Sequence, residues 1–198
     1  MIIVLGSTSP RRQELMGHYF PAFHICAPHI NEDSLPGESS LEYTTRISEN
    51  KTAELIGRLS TSEDYLLITG DTIVSLDGSI IGKPADRNNA LEILRTLRGR
   101  THEVISALTL TYNNHQAKTI TDREITRVTF KNLSDDQLEE YLDRIEYLDK
   151  AGAYAIQEHG DFIVEEIFGS LTNVIGFPLR LFFRLMSSLN LLEIMFRD

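Results

Sequence analysis

The segment Ile2-Ile3-Val4-Leu5-Gly6-Ser7-Thr8-Ser9-Pro10-Arg11-Arg12-Gln13-Glu14-Leu15 joins an apolar run directly to a helix start. Four apolar residues in succession suit a strand covered on both faces, as a parallel sheet in an α/β protein requires. Ser9 suits the N-cap and Pro10 the first helical position, where the missing N–H has no intrahelical partner to lose. The next turn ordinarily favours Asp or Glu, because a cation against the positive helix end costs roughly 0.3 to 1 kcal/mol. Arg11 and Arg12 stand against that preference. An anion held by free backbone N–H groups and forked guanidinium contacts would offset the cost, and phosphate is the candidate. The plainer alternative is that both arginines are solvated or pair with Glu14 or other carboxylates.

Outward from this segment, apolar strand-like runs alternate with capped helices, which points to α/β architecture. Strands are predicted at 2–5, 22–27, 65–69, 72–76, 104–112, 124–130 and 161–167. Ser39 with Glu42, and Ser134 with Gln137, form capping boxes, the first ahead of a helix over 40–57. After the second, Leu138, Tyr141, Leu142 and Ile145 share one face opposite an acidic, solvated one. Asp86 caps a helix carrying Ala90, Ile93, Leu94 and Leu97, with Gly99 as its stop. Asp77-Gly78 between apolar residues is a hairpin signal. The run from Leu179 to Phe196 carries Arg180, Arg184, Asn190 and Glu193, so it reads as a packed C-terminal helix opened by Pro178, not a membrane span. No repeat, linker or domain boundary is visible.

At 198 residues, 41% hydrophobic and 24% charged, the chain has the composition of an ordinary globular protein. Its formal net charge of -10 argues against a nucleic-acid polymer as partner, since counterion release needs a broad basic surface. One cysteine, Cys26, permits no internal disulfide and reads as a small buried strand residue. With no signal-peptide pattern at the N-terminus, the expectation is a cytoplasmic protein without membrane attachment.

Gly70-Asp71-Thr72 interrupts an apolar strand, and a carboxylate placed there needs a partner. It is either a bulge or turn whose Asp bonds nearby N–H groups, or a general base or metal ligand aimed into a cleft. Gly82-Lys83-Pro84 follows the hairpin and returns Lys83 toward Asp71, a pairing that suits a polyphosphate with a cation. Glu32 and Lys51 have no individual signal. His102 and His159 lack metal-ligand spacing with any other histidine.

Six segments in order, Leu5–Leu15, Gly70-Asp71-Thr72, Gly82-Lys83-Pro84, Leu97–Val104, Ala151-Gly152-Ala153-Tyr154-Ala155-Ile156-Gln157 and Gly169–Pro178, resemble the motifs of the Maf family of nucleoside triphosphate pyrophosphatases. The likeness covers essentially the whole chain. It implies one unit, 1–198, with an elongated mixed β-sheet flanked by helices and two lobes around a central cleft, similar to the inosine triphosphate pyrophosphatases. It further implies cleavage between the α and β phosphates with a divalent cation, Mg²⁺ or Mn²⁺. By motif, Asp71 is implied as proton acceptor, Glu32 as its assistant, and both as metal ligands. Ser7, Arg11, Arg12, Lys51 and Lys83 are implied to hold the phosphates, while Arg11, Thr72 and Gln157 fall where substrate choice is made. The Tyr-Ala-Ile-Gln form resembles the branch acting on dTTP and UTP, and the family precedent implies a homodimer.

Two departures stand out. Gly6 replaces the usual alanine, a change expected to be harmless. Glu158 follows Gln157 where the pyrimidine branch commonly has Gly, and either adds a carboxylate near the base pocket or is a surface-loop change. Rival readings are a non-catalytic nucleotide-binding regulator of cell division and another phosphohydrolase. The first has no need of Asp71, and the second lacks its expected carboxylate-rich motif.

Overall fold

The computed structural model describes residues 1–59 and 63–196. The opening segment forms strand β1 (Ile2–Gly6) and helix α1 (Pro10–Gly17). There follow β2 (His24–Ile25), α2 (Ser40–Ile56), β3 (Tyr65–Leu76), β4 (Ser79–Ile81), α3 (Arg87–Leu97), β5 (Thr101–Asn114) and β6 (Gln116–Phe130). The chain continues through α4 (Asp135–Leu142), α5 (Gly160–Ile163), β7 (Val164–Phe168), α6 (Leu171–Ile175) and α7 (Leu179–Ser188). Both predicted capping boxes are present, at Ser39 and Ser134. Asp77 and Gly78 take φ of 51° and 80°, the paired positive values a two-residue hairpin turn needs.

The strands make one mixed sheet in the order β2-β1-β3-β5-β6-β7, with β4 added to β3. β2, β1 and β3 run parallel, and β5, β6 and β7 continue antiparallel. The fold is thus mixed α/β, as expected. The break predicted at Gly70-Asp71-Thr72 is absent: β3 is one strand, paired with β5 without interruption from Tyr65↔Asn113 through Asp71↔Ala107 to Ser75↔Glu103. The glycine serves close strand approach, since a Cβ at Gly70 would stand 2.8 Å from the Ala107 carbonyl oxygen.

The other edge of β3 is discontinuous. β1 pairs with it only as far as Gly6↔Thr69, and β4 begins only at Val74↔Ile81. Residues 70–73 therefore face an opening between the ends of β1 and β4. Two cores flank that opening. Leu5, Leu66, Ile68 and Leu108 pack with Met16, Phe20, Phe177 and Phe182 on one side. On the other, Val74, Val104, Val128 and Phe130 pack with Leu94 of α3 and Leu138 and Tyr141 of α4. α2 covers the opposite face of the sheet, through Leu55 against Val4, Tyr65 and Leu67. Hydroxyl pairs reinforce it, Ser48 to Thr109 at 2.8 Å and Thr52 to Thr69 at 2.5 Å.

Other local expectations are corrected. The strand predicted at 161–167 begins as the short helix α5, because His159 enters the left-handed region and Val164 N–H bonds back to the Gly160 carbonyl. The strand predicted at 22–27 reduces to His24–Ile25, and Cys26 just beyond it is half-buried, not buried. The C-terminal run is α7 followed by a 3₁₀ turn at Leu192–Phe196. Among the described residues no helix is long and apolar enough to cross a membrane.

Gly6 sits where side chains of α2 and β3 approach closely. A Cβ at this position would collide with the Leu55 side chain and lie 2.6 Å from Thr69 Cγ2, so α2 occupies the space an alanine would need. Gly6→Ala is expected to destabilise the protein by about 1 to 3 kcal/mol through overpacking, with partial recovery on adding Leu55→Val. Urea unfolding of the two variants measures this, and an unchanged midpoint for Gly6→Ala would show that α2 yields freely.

Candidate active site

A cavity of about 610 Å³ lies over the open stretch of β3, a size typical of small-molecule sites. Every residue that the motif resemblance implied for the site lines it: Ser7, Arg11, Arg12, Glu32, Lys51, Asp71, Thr72, Lys83 and Gln157. The break between β1 and β4 explains the convergence. It exposes Asp71 on the α2 face of β3 and Thr72 on the other, while the β1–α1 turn supplies one wall and the Asp149–Gln157 segment another.

Lys51 stands at the centre of the carboxylate end. Its ammonium donates to Asp71 Oδ1 at 2.9 Å and lies 2.8 Å from Glu32 Oε1. Lys51 and Asp71 are both buried, whereas Glu32 is half-exposed on the loop before α2. Among the described residues Asp71 Oδ2 accepts no hydrogen bond, so one carboxylate oxygen is fixed and the other faces the cavity. Tyr43, about two turns before Lys51 on the same helix face, donates to the Glu32 carbonyl at 2.7 Å and holds that loop against α2. Burial, reinforced by the nearby Asp71 and Glu32 charges, pushes the Tyr43 phenol up to about 12.

Arg12 is buried and largely committed to the protein. Its Nε donates to the Gly176 carbonyl at 2.9 Å, Nη1 to the Gly70 carbonyl at 2.6 Å, and Nη2 to Thr72 Oγ1 at 3.0 Å. It thereby closes the edge left open between β1 and β4, satisfying a carbonyl that would otherwise be orphaned. Arg11 is more exposed and pairs with Asp149 at 3.0 Å. The charge pairing left open from the sequence is thus realised with Asp149, not Glu14.

Ser9 occupies the N-cap of α1, yet its hydroxyl makes no capping bond and the first turn holds no acidic residue. Instead its N–H bonds to Ser7 Oγ at 3.2 Å. The amides of Arg11 and Arg12 are left without intrahelical partners at the cavity wall. Lys83 is exposed on the opposite wall, beyond β4.

At the far end Gln157 is exposed and lines the cavity. Tyr154, which also lines the cavity, packs edge-on against Phe130 and His102, and its hydroxyl lies 3.0 Å from His102 Nε2. Burial lowers the His102 pKa to about 4, so the ring is neutral near pH 7. Glu158 neither enters the cavity nor stands free: it lies 3.3 Å from the buried Lys150 ammonium and accepts the Glu146 amide at 3.2 Å.

Sequence reasoning passed over Tyr43, Asp149 and Lys150. Tyr43 was within reach, since it shares a helical face with Ile47 and Lys51. Asp149 and Lys150 sit in a polar, irregular stretch without periodicity, and only the fold carries them to Arg11.

A model of the family described as Maf-like protein matches residues 2–189. The dTTP/UTP pyrophosphatase of Geobacter sulfurreducens is 40% identical over 177 residues, covering 89% of this chain and 91% of the relative. That of Methylococcus capsulatus is 38% identical over 189 residues, covering 96% and 91%. Among solved structures, the Staphylococcus aureus Ham1 protein superposes with a TM-score of 0.51 at 13% identity, over 95% of this chain and 99% of the other. The two share a fold.

Two outcomes follow from the buried groups. Arg12→Ala removes the donors to the Gly70 and Gly176 carbonyls and is expected to cost about 2 to 4 kcal/mol of stability, beyond any loss of ligand. Chemical denaturation without nucleotide reads this directly, and an unshifted midpoint would make Arg12 a ligand group alone. His102, held near pKa 4, is protonated in the unfolded chain first as pH falls below about 6.5. Its contribution to native stability is therefore complete at neutral pH and lost progressively from pH 6.5 down to 4, by up to about 3 kcal/mol. A His102→Gln variant should lack that part of the slope in unfolding free energy against pH; identical slopes would place the acid sensitivity elsewhere.

Proposed function

The chain belongs to the Maf-like protein family, and from this premise we propose that it hydrolyses dTTP and UTP to the nucleoside monophosphate and pyrophosphate. It is a nucleoside triphosphate pyrophosphatase. The observation that carries the site assignment is the half-free Asp71 carboxylate, fixed through one oxygen by Lys51 and surrounded by Arg11, Lys83 and the uncapped start of α1.

A triphosphate laid along this cavity meets cations at each point where charge accumulates. The α1 amides, Ser7 and Arg11 bind its oxygens from one wall and Lys83 from the other. Arg12 acts chiefly by holding Thr72 and the Gly70 and Gly176 carbonyls in place, and lends its charge. Asp71 Oδ2 takes a proton from water, whose oxygen attacks the α phosphorus as the bond to the bridging oxygen breaks and pyrophosphate leaves. Because Lys51 immobilises the other oxygen, the base meets the water in a set geometry.

The residues present fit a divalent cation. Lys51 already shows that positive charge is accommodated between Glu32 and Asp71, and two carboxylates with phosphate oxygens form the all-oxygen donor set Mg²⁺ or Mn²⁺ takes. Glu32 and Asp71 would supply two of the donors, and phosphate and water oxygens would supply the rest. When bound, such a cation supplies charge neutralisation and acidifies its water. The Gln157 amide presents a donor and an acceptor to the base edge, and Tyr154 lines the same cavity. One continuous sheet linking both cores supports a single two-lobed unit over 1–198. A nucleotide substrate and a lone cysteine support a cytoplasmic setting, and homodimerisation rests on the family resemblance.

Pyrophosphate release from a panel of triphosphates tests this reading, with higher kcat/KM expected for dTTP and UTP than for purine nucleotides. Asp71→Asn should lower kcat by more than about 100-fold, some 2.7 kcal/mol of barrier, while dTTP still binds. Retention of a tenth or more of wild-type kcat would remove Asp71 from proton transfer, and binding without turnover by the wild type would favour a regulator.

A further inference from the structure

Asp149 is a third carboxylate on the cavity wall, separate from the Asp71–Glu32 pair on Lys51 and set against the cation Arg11. It bridges two cations, with Oδ2 accepting from Arg11 Nη1 at 3.0 Å and Oδ1 from Lys150 Nζ at 2.8 Å. The two partners differ sharply. The Lys150 side chain is only 6% exposed, also donates to the Glu146 carbonyl, and lies 3.3 Å from Glu158 Oε1. Arg11 and Asp149 are 29% and 54% exposed, so their contact is the one that water and ligands reach. Burial acts to raise the Asp149 pKa, but the Lys150 hydrogen bond and the Arg11 charge outweigh it and hold the group below its ordinary value.

We propose that Asp149 is the resting counter-ion of Arg11, displaced when a triphosphate takes that guanidinium, and that Lys150 is a positioning residue that shares the Asp149 charge and so loosens its hold. The proposal rests on the reading that Arg11 meets the phosphates. Empty, the cavity would hold an unpaired guanidinium free to sample many rotamers; Asp149 keeps it extended toward the site. A single exposed ion pair is easily exchanged for a charge-assisted phosphate contact. A bare carboxylate would instead repel the incoming phosphates and compete for Arg11. Lys150 prevents that, and it is kept from swinging toward the phosphates itself by the Glu146 carbonyl and by Glu158. The residue at which this chain departs from the family pattern thus acts through Lys150, without entering the cavity.

Steady-state kinetics and calorimetric binding of dTTP to Asp149→Asn, Lys150→Met and the double variant test this. Asp149→Asn should lower both KM and Kd at least about threefold with kcat within about twofold, because the competing charge is gone. Lys150→Met should raise KM and Kd at least about fivefold, and adding Asp149→Asn should return both to about the Asp149→Asn values. A merely structural role for Lys150 would leave the double variant as impaired as Lys150→Met. Unchanged or weakened binding in Asp149→Asn overturns the proposal, and this variant decides it alone if Lys150→Met does not fold. Wild-type protein that binds dTTP without releasing pyrophosphate would overturn the hydrolytic reading, while the binding arm would still decide the role of Asp149. Absence of dTTP binding by the wild type would overturn both.

Discussion

The interrupted edge of β3 is the constraint on which the rest of the molecule depends. A strand paired on both sides is closed, and its side chains can reach a ligand only from above or below. Where β1 stops at Thr69 and β4 has not yet begun at Val74, the strand is open laterally as well, and side chains of both faces reach one cavity. Openness leaves backbone groups without ladder partners, and Arg12 answers that need at the Gly70 carbonyl. The same guanidinium reaches Gly176 and Thr72, so closing the gap also ties the start of α1 to the turn after α6.

Rigidity on either side makes the opening useful. β3 runs from one core to the other, with Leu66 and Ile68 packed in the first and Val74 and Leu76 in the second. Asp71 lies at the crossing, anchored at both ends of its own strand and across its width to β5. α2 is locked onto the same strand by buried hydroxyl pairs, which places Lys51 within 2.9 Å of the carboxylate. Taking such a pair out of water is costly, and breaking it by removing one partner costs more, about 3 to 5 kcal/mol for typical buried pairs. Its presence in a cavity wall suits a charge pattern set by a ligand better than one set by stability.

The shared fold with a Ham1 protein at 13% identity shows how little of this architecture depends on particular core residues. A mixed sheet with helices on both faces can be filled by many apolar combinations of the right volume. The site is different in kind, because its chemistry depends on named atoms at set distances. Lys51 and Arg11 each rest against a carboxylate, which pairs their charges at the cavity wall.

By itself the sequence determined the local elements: a buried strand running into a Pro-started helix, two capping boxes, the Asp-Gly hairpin and the helical face of Leu138, Tyr141 and Leu142. These signals act within one turn of helix or one strand period, so neighbouring residues suffice to read them. The motif resemblance brought scattered residues to one list, and every one of them lines the cavity. Tertiary structure alone decided what those residues do for one another. Arg12 looked like a free phosphate ligand and proved to be bonded to Gly176, 164 positions away, and Gly70-Asp71 looked like a break and proved to be mid-strand. Gly6 looked interchangeable until α2 was seen to fill the space beside it. Lys150, Asp149 and Glu158 had no pattern at all, because the partners that give them meaning are set by how distant segments pack, and packing distances are not written in any local period.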